Sequence, residues 1–557
     1  MMEALRDILK NSSEKYKNNV ALKVKRDGSN RYETIKYGRF YELSRKLSNY
    51  LKGLGYNKGD KIGIIGKNSP EWSIAFFATQ IHGFVSIPID RFLSKNEVKH
   101  IINDSGLKVI FTDKKYESML EDIKDEVEGL EKIFILTKES KNNIYSLIES
   151  NKNDFEMENI NKTDEAVFLY TSGTTGQTKG VVLTHKNFIA NITDIEKRLN
   201  IFPGDNFLSF LPVNHAYELT AGFFTIVYSG ATIVYCPSLT SRDIINTMKE
   251  AKITKMIGVP LIFEKIYNSI KRKLKKLPKL KKFFINLLFL LGRIKRKFDH
   301  SLNGTKPIFN ILLKQTGFTN IDFFVSGGAA LPSYISRFFY LLGVPILQGY
   351  GLTETSPVLS CVSPEDIDFY SVGEPLESVK IRIYNPGENG IGEIVARGPN
   401  IMQGYYKEKK KTDEVLKRGW FYTGDFGYME NNKLYIKGRL KNVIVSKGGK
   451  NIYPEEIEEN LLKSDYIEEV IVVGTGEPVA IIFPNYEQVD SWAEEEKVEN
   501  ITEDTIYKLL KKEINSINKT MAKYKRIRKI KIRSEEFPKT STRKIKRYLF
   551  TEKKKTV

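Results

Sequence analysis

Ala166-Val-Phe-Leu-Tyr170 runs directly into Thr171-Ser-Gly-Thr-Thr-Gly-Gln-Thr-Lys179-Gly180. The first five residues are apolar and include branched and aromatic types, so they read as a buried strand. The next ten change character at once. Glycines allow the backbone to turn its N–H groups inward, hydroxyls add donors, and Lys179 adds charge. Such a loop can wrap the phosphates of a nucleotide. Its spacing is not the G-x-x-x-x-G-K-[ST] of the P-loop. Taken alone, a Gly/Thr cluster also reads as a surface turn.

Moving outward, strand and helix signals alternate. Residues 61–65 form a short apolar run, 70–83 carry apolar residues at helical spacing, and 85–88, 107–111 and 133–136 repeat the strand signal. This alternation predicts layered α/β structure with mainly parallel sheets. A chain of 557 residues has room for more than one core. No fixed-period repeat and no Pro-rich or Gly/Ser-rich linker interrupts it.

Composition narrows the class. Hydrophobic residues make up 41% and charged residues 28%, which suits a soluble folded protein rather than a disordered one. The two cysteines, Cys236 and Cys361, are too few for a disulfide framework or a Cys-based zinc site. The first residues lack the apolar stretch of a secretory signal. The most apolar segment, 283–292, is shorter than the ~20 residues of a spanning helix. The expected location is the cytoplasm. The net charge of +20 is unevenly placed: residues 519–557 hold 16 Lys/Arg against three Glu. Residues 271–282 hold eight basic residues and no acid, ahead of the apolar run 283–291 and then Arg293, Lys295, Arg296 and Lys297. Basic charge alone admits a non-enzymatic nucleic-acid or membrane-binding protein. No helix-turn-helix, RNP or zinc spacing accompanies it, so no nucleic-acid partner is expected. Neither G-x-S-x-G nor a post-strand G-x-G-x-x-G is found, which argues against a hydrolase and a dinucleotide oxidoreductase.

Further strings follow the loop in order. They are Leu211-Pro-Val-Asn-His215, Ser326-Gly-Gly-Ala-Ala330, Gln348-Gly-Tyr-Gly-Leu-Thr-Glu354-Thr-Ser356, Trp420-Phe-Tyr-Thr-Gly-Asp425, Lys437-Gly-Arg439-Leu-Lys441 and Pro538-Lys-Thr-Ser-Thr-Arg-Lys544-Ile-Lys-Arg547. With residues 170–180, this series closely resembles the ordered motifs of the adenylate-forming enzymes: acyl-CoA synthetases, nonribosomal adenylation domains and luciferases. The resemblance covers about residues 20–550. The family pattern has Pro where this chain has Thr178, which removes a rigid φ but no donor. It has Gly where this chain has Arg543.

The resemblance implies a large N-terminal domain of layered β-sheets with helices, residues 1–438. A small mobile α+β domain, residues 439–557, would follow. It implies ATP, Mg²⁺ and coenzyme A as the small molecules used. Thr171, Ser172, Gly173, Thr174, Thr175, Gly176 and Lys179 would grip phosphates, and Gly328, Tyr350, Gly351 and Thr353 would border the adenine and phosphates. Tyr350 would stack on adenine; ordinary core packing is its other reading. Glu354 would hold Mg²⁺ with Thr171 oriented toward it, where a lone Glu would otherwise be a solvated side chain or helix cap. Asp425 would accept from the ribose hydroxyls, with Arg439 adding a cation nearby. Lys544 would bridge the attacking carboxylate and the α-phosphate. His215 would pack beside the carboxylate and exclude water, whereas His185 reads as structural. Lys441 would be the hinge and Gly449 would border the pantetheine tunnel, with Gly448 a competing assignment.

Val259-Pro-Leu-Ile-Phe-Glu-Lys-Ile-Tyr267 and Asp322-Phe-Phe-Val-Ser-Gly-Gly-Ala-Ala-Leu-Pro332 look like the long-chain fatty acyl-CoA synthetase branch. The expected substrate is a long-chain fatty acid and the expected acceptor CoA. An acyl carrier protein thiol is the alternative acceptor, as in an acyl-ACP synthetase or fatty acyl-AMP ligase. The basic insert and its apolar continuation suit an anionic membrane surface and peripheral attachment. A solvated helix followed by a buried one is the competing reading.

Overall fold

The apolar run 166–170 is a strand, as predicted, but the strand extends over Glu165–Ser172 and its partner begins at Thr178, so both ends of the expected loop are drawn into strand pairing. The computed structural model describes residues 2–26, 28–138, 140, 142–172, 178–446, 448–498, 500–539 and 545–551. In it, Glu165–Ser172 pairs antiparallel with Thr178–Thr184, so that Thr171 lies opposite Lys179 and Tyr170 opposite Gly180. The chain divides into two compact units: residues 1–381 with 396–421, and residues 382–395 with 422–557.

The first unit holds two large sheets. One has seven strands in the order Gly404–Tyr405, Thr178–Thr184, Glu165–Ser172, Val85–Ile89, Lys61–Ile65, Val109–Thr112, Lys132–Ile135. From Glu165–Ser172 to the last strand every pairing is parallel. The other has nine strands, its centre running Ile346–Gly351, Phe323–Ser326, Lys255–Gly258, Asn206–Ser209, Thr232–Tyr235, Val20–Lys25, all parallel. Antiparallel strands close both edges. The expected α/β class with mainly parallel sheets is therefore observed.

Helix Pro70–Ile81 shows why these layers hold. Ser69 Oγ accepts from the Trp72 N–H at 3.1 Å, and Pro70 occupies the first turn, where its missing N–H costs nothing. Its length matches the expected segment except that it ends at Ile81, because Gly83 turns the chain at φ +73°. All twelve of its residues are buried. A helix buried on every side belongs between layers. Trp72, Phe76 and Phe77 meet Phe223 and Phe224 through ring pairs 5.3–6.1 Å apart. His185 is structural, as read: it is fully buried, and its Nδ1 accepts from the Leu5 N–H at 3.1 Å. Burial pulls the imidazole down to about 4, so it stays neutral.

In the second unit, Trp420–Glu430 returns antiparallel as Lys433–Arg439. Asn431 and Asn432 form the connection with φ +49° and +62°, the paired positive values of a tight hairpin turn. Ile467–Val473, Val479–Pro484 and Lys529–Ile532 form a three-stranded sheet. Helices Pro454–Leu461 and Glu503–Lys519 cover it, burying Ile457, Leu461, Leu510 and Ile514.

Candidate active site

The parallel strands of the first unit determine which loops become neighbours. Ser326 and Gln348 are partners in adjacent parallel strands, so Gly328 and Tyr350, each two residues further on, both lie toward the carboxyl end of those strands. Open α/β sheets receive ligands at this end. Leu331 N–H donates to Gln348 Oε1 at 3.4 Å, tying the Gly-rich loop to the neighbouring strand. Tyr350 is half-buried and sits opposite Ser360. At Gly351 a Cβ would come within 1.8 Å of the Pro357 carbonyl oxygen, so glycine is obligatory there. The chain then enters the short helical turn Thr353–Thr355, which carries Glu354.

Glu354 does not stand alone. The Tyr405 hydroxyl donates to its Oε1 at 2.8 Å, and Lys179 Nζ lies 3.8 Å from the same oxygen. Lys179 also lies 3.4 Å from the centre of the Tyr405 ring, within cation–π range. Strand pairing explains the meeting. Gly404–Tyr405 adds to the strand that leaves the Gly/Thr loop, with Tyr405 opposite Val181. Tyr406 N–H donates to the Gly180 carbonyl at 2.8 Å, and Met402 N–H to that of Glu354 at 2.9 Å. Burial and the adjacent carboxylate both push the Tyr405 phenol up, so it remains a donor. Thr171, half-buried, enters the same region from the preceding strand. Gly173, Thr174, Thr175 and Gly176 lie outside the described residues, as does the Ser172 side chain.

His215 comes from the loop that follows Asn206–Ser209. Its Nε2 is 3.5 Å from Asp90 Oδ2, and Asp90 follows strand Val85–Ile89 of the other sheet. Asn68 fixes this loop from below: its amide donates to Ser209 Oγ at 2.9 Å and to the Leu211 carbonyl at 2.7 Å, and its Oδ1 accepts from Val213 N–H at 3.1 Å. Ser209 in turn donates to Glu218 Oε1 at 2.7 Å. Glu218 is fully buried in the π-helix Glu218–Phe224, and burial pushes its carboxyl up to about 8.

The second unit brings Asp425 and Arg439 together. They are cross-strand partners, with Arg439 Nε 3.2 Å from Asp425 Oδ1. Asp425 is buried, and its N–H donates to Thr423 Oγ1 at 3.1 Å. Gly424 supplies the turn at φ +70°. Lys441 lies in the turn Leu440–Asn442 and is exposed. Gly449 closes a tight turn at φ +75°, its N–H donating to the Ser446 carbonyl at 2.9 Å. Lys544 and Arg543 lie outside the described residues, but their flanks are described. Lys539 bridges to Ile545, and Lys546 N–H donates to the Pro538 carbonyl at 2.8 Å. Arg547 grips both oxygens of Glu458 at 2.6 Å and also donates to the Val472 carbonyl at 2.8 Å.

Reading the sequence did not find Tyr405, Asp90, Asn68 or Glu218. For Tyr405 the only local signal was an aromatic pair after Gly404. The other three carry no motif of their own.

Among the described residues no group of three or more His, Cys, Asp or Glu could hold a metal ion. The carboxylate that Tyr405 and Lys179 hold is that of Glu354. A single carboxylate suits Mg²⁺, which keeps waters and substrate phosphates among its ligands.

Residues 9–406 match the family model described as AMP-binding enzyme, and residues 441–555 match AMP-binding enzyme C-terminal domain. The chain is 28% identical to long chain acyl-CoA synthetase 7, peroxisomal, of Arabidopsis thaliana, over 86% of this chain and 72% of that protein. It is also 28% identical to the chloroplastic long-chain-fatty-acid–[acyl-carrier-protein] ligase AEE15 of the same plant, over 92% and 80%. Among solved structures, it resembles the anthranilate CoA ligase AuaEII in complex with anthranoyl-AMP (TM-score 0.77, 21% identity, 98% and 96% covered). It likewise resembles o-succinylbenzoate coenzyme A synthetase of Bacillus subtilis in complex with ATP and magnesium (TM-score 0.73, 23% identity, 97% and 98% covered).

Proposed function

We propose that this chain, which belongs to the AMP-binding enzyme family, is an AMP-forming acid–thiol ligase that converts a long-chain fatty acid to its CoA thioester. The observation that carries this reading is the meeting of Lys179 and Tyr405 on the Glu354 carboxylate, which joins three distant segments of the chain at one point.

A carboxylate resists thiols because its leaving group would be oxide. In the first half-reaction a carboxylate oxygen attacks the α-phosphorus of ATP and pyrophosphate departs, giving acyl-AMP. In the second, the thiol sulfur attacks the acyl carbon, AMP departs and the thiol proton goes to solvent. Thr171 to Thr175, Gly176 and Lys179 grip the β- and γ-phosphates. Glu354, with Thr171, would hold Mg²⁺, which supplies charge neutralisation on the phosphates when bound. Tyr350 offers a ring to adenine, bordered by Gly328, Gly351 and Thr353. Asp425 accepts from the ribose hydroxyls, with Arg439 as its cation. His215 packs beside the acid and keeps water out. Lys544 places its ammonium between carboxylate and α-phosphate. The C-terminal domain, residues 439–557, turns about Lys441 between half-reactions, and Gly449 borders the pantetheine path.

Pyrophosphate exchange into ATP that depends on an added long-chain fatty acid tests the first half. Exchange without such an acid, or none at all, overturns the reading. Thioester formation with CoA, compared with acyl carrier protein, then tests the acceptor.

A further inference from the structure

The helix Lys279–Arg296 has two apolar faces, and only one of them is covered. On the covered side Phe289 packs at 5.2 Å from the Phe309 ring and 6.0 Å from that of Phe338. At Gly292 a Cβ would meet the Phe309 ring at 2.9 Å, so the helix seats closely on the body. Arg296 anchors its end, lying 3.8 Å from the Tyr340 ring centre and donating to the Tyr340 carbonyl at 2.6 Å.

The opposite side is bare. Leu280, Phe284, Leu287, Leu291, Ile294 and Phe298 follow one another at intervals of four and three, which places them on one stripe. Their exposures are 70, 56, 41, 45, 47 and 82%. Phe283 and Leu290, 64 and 51% exposed, widen it. Isolated surface leucines need no explanation, but a continuous stripe of this size marks a contact surface. The competing expectation, that 283–291 is a buried helix, holds only for its inner face.

Charge selects the occupant. Between Glu264 and Asp299 there is no acidic residue and there are 13 Lys/Arg. A second copy of the same face would bring like charge against like charge. An anionic bilayer offers acyl chains to the stripe and phosphate to the flanking cations. Among the described residues no helix is long and apolar enough to cross a membrane, so the contact is lateral. We infer that the outer face of Lys279–Arg296 lies in the headgroup region of an anionic lipid bilayer and attaches the enzyme there. This goes beyond the proposed chemistry and requires no nucleotide.

The test is sedimentation of the full chain with phosphatidylcholine vesicles, with and without phosphatidylglycerol. The expected result is binding to the anionic vesicles only, weakened by salt. In the triple variant Phe284→Gln/Leu287→Gln/Leu291→Gln, whose changed side chains are exposed, partitioning falls by about tenfold or more. Acid-dependent pyrophosphate exchange in detergent is kept, which shows that the variant folds. Lys281→Glu/Lys282→Glu lowers binding and its salt dependence together. Wild-type protein that ignores anionic vesicles overturns the inference, as does a triple variant that binds them equally well. A dimer that dissociates in the triple variant, with no vesicle binding by either protein, would assign the stripe to a second copy and also overturn it.

Discussion

The Tyr405 hydroxyl donates to Glu354 Oε1 at 2.8 Å while the face of the same ring receives Lys179. One side chain therefore orients an acid and a base from different segments. Removing the hydroxyl leaves the ring and the cation in place. Tyr405→Phe should raise the magnesium concentration needed for half-maximal pyrophosphate exchange by about tenfold, the equivalent of losing a charge-assisted hydrogen bond of ~1.5 kcal/mol. Glu354→Ala should do more. A magnesium titration identical to wild type would remove Tyr405 and Glu354 from the metal site.

Lys544→Ala should lower acyl-AMP formation by about a hundredfold or more, as expected when a charge aimed at the transition state is lost. The same variant should still convert supplied acyl-AMP and CoA to thioester. Single-turnover assays of each half-reaction check this, and equal loss of both would refute the assignment.

Glu218 carries a pH signature. Its carboxyl is raised from 4.5 to about 8 by burial, so the folded protein keeps a proton that the unfolded chain gives up. Stability from this group is complete below about 4.5 and is lost as pH rises toward 8, with a slope of about 1.4 kcal/mol per pH unit inside that window. Glu218→Gln removes the slope. Urea midpoints should show the variant gaining on wild type between pH 5 and pH 8. Parallel curves would mean that Glu218 is ionised in the fold.

Arg547 and Glu458 form a two-pronged pair with side chains only 17 and 12% exposed. Removing the cation strands a buried acid. Arg547→Ala should destabilise the second unit by about 3–5 kcal/mol. Proteolysis should reach residues 422–557 first, leaving the first unit intact longer. If acid-dependent exchange and protease resistance are both unchanged, the pair does not brace the Lys544 segment.

Local chemistry made much of this protein legible. The expected segments 61–65, 70–83, 85–88 and 166–170 take the structures that their apolar spacing predicts, with ends shifted by one or two residues to Ile81, Ile89, Glu165 and Ser172. Thr171, Lys179, Tyr350 and Glu354 could be singled out because each sits in a string that resembles an ordered motif of the adenylate-forming enzymes. Tyr405 could not, because its place depends on Gly404–Tyr405 adding to a strand more than two hundred positions earlier. Asp90 and Asn68 lie in the connections that follow two strands of one sheet yet act on a loop of the other, which no local pattern encodes. The run 283–291 announced itself as apolar, but apolarity does not say which side the body covers. Glu218 reads as an ordinary acid until its surroundings are known.

Helix Pro70–Ile81 lies against Lys61–Ile65 and Val85–Ile89 of one sheet and Val20–Lys25 of the other. Neither layer can lose this shared wall without exposing the same aromatic rings to water. Backbone amides at the centres of both sheets should thus exchange with deuterium at one common rate, as a single melting block rather than two.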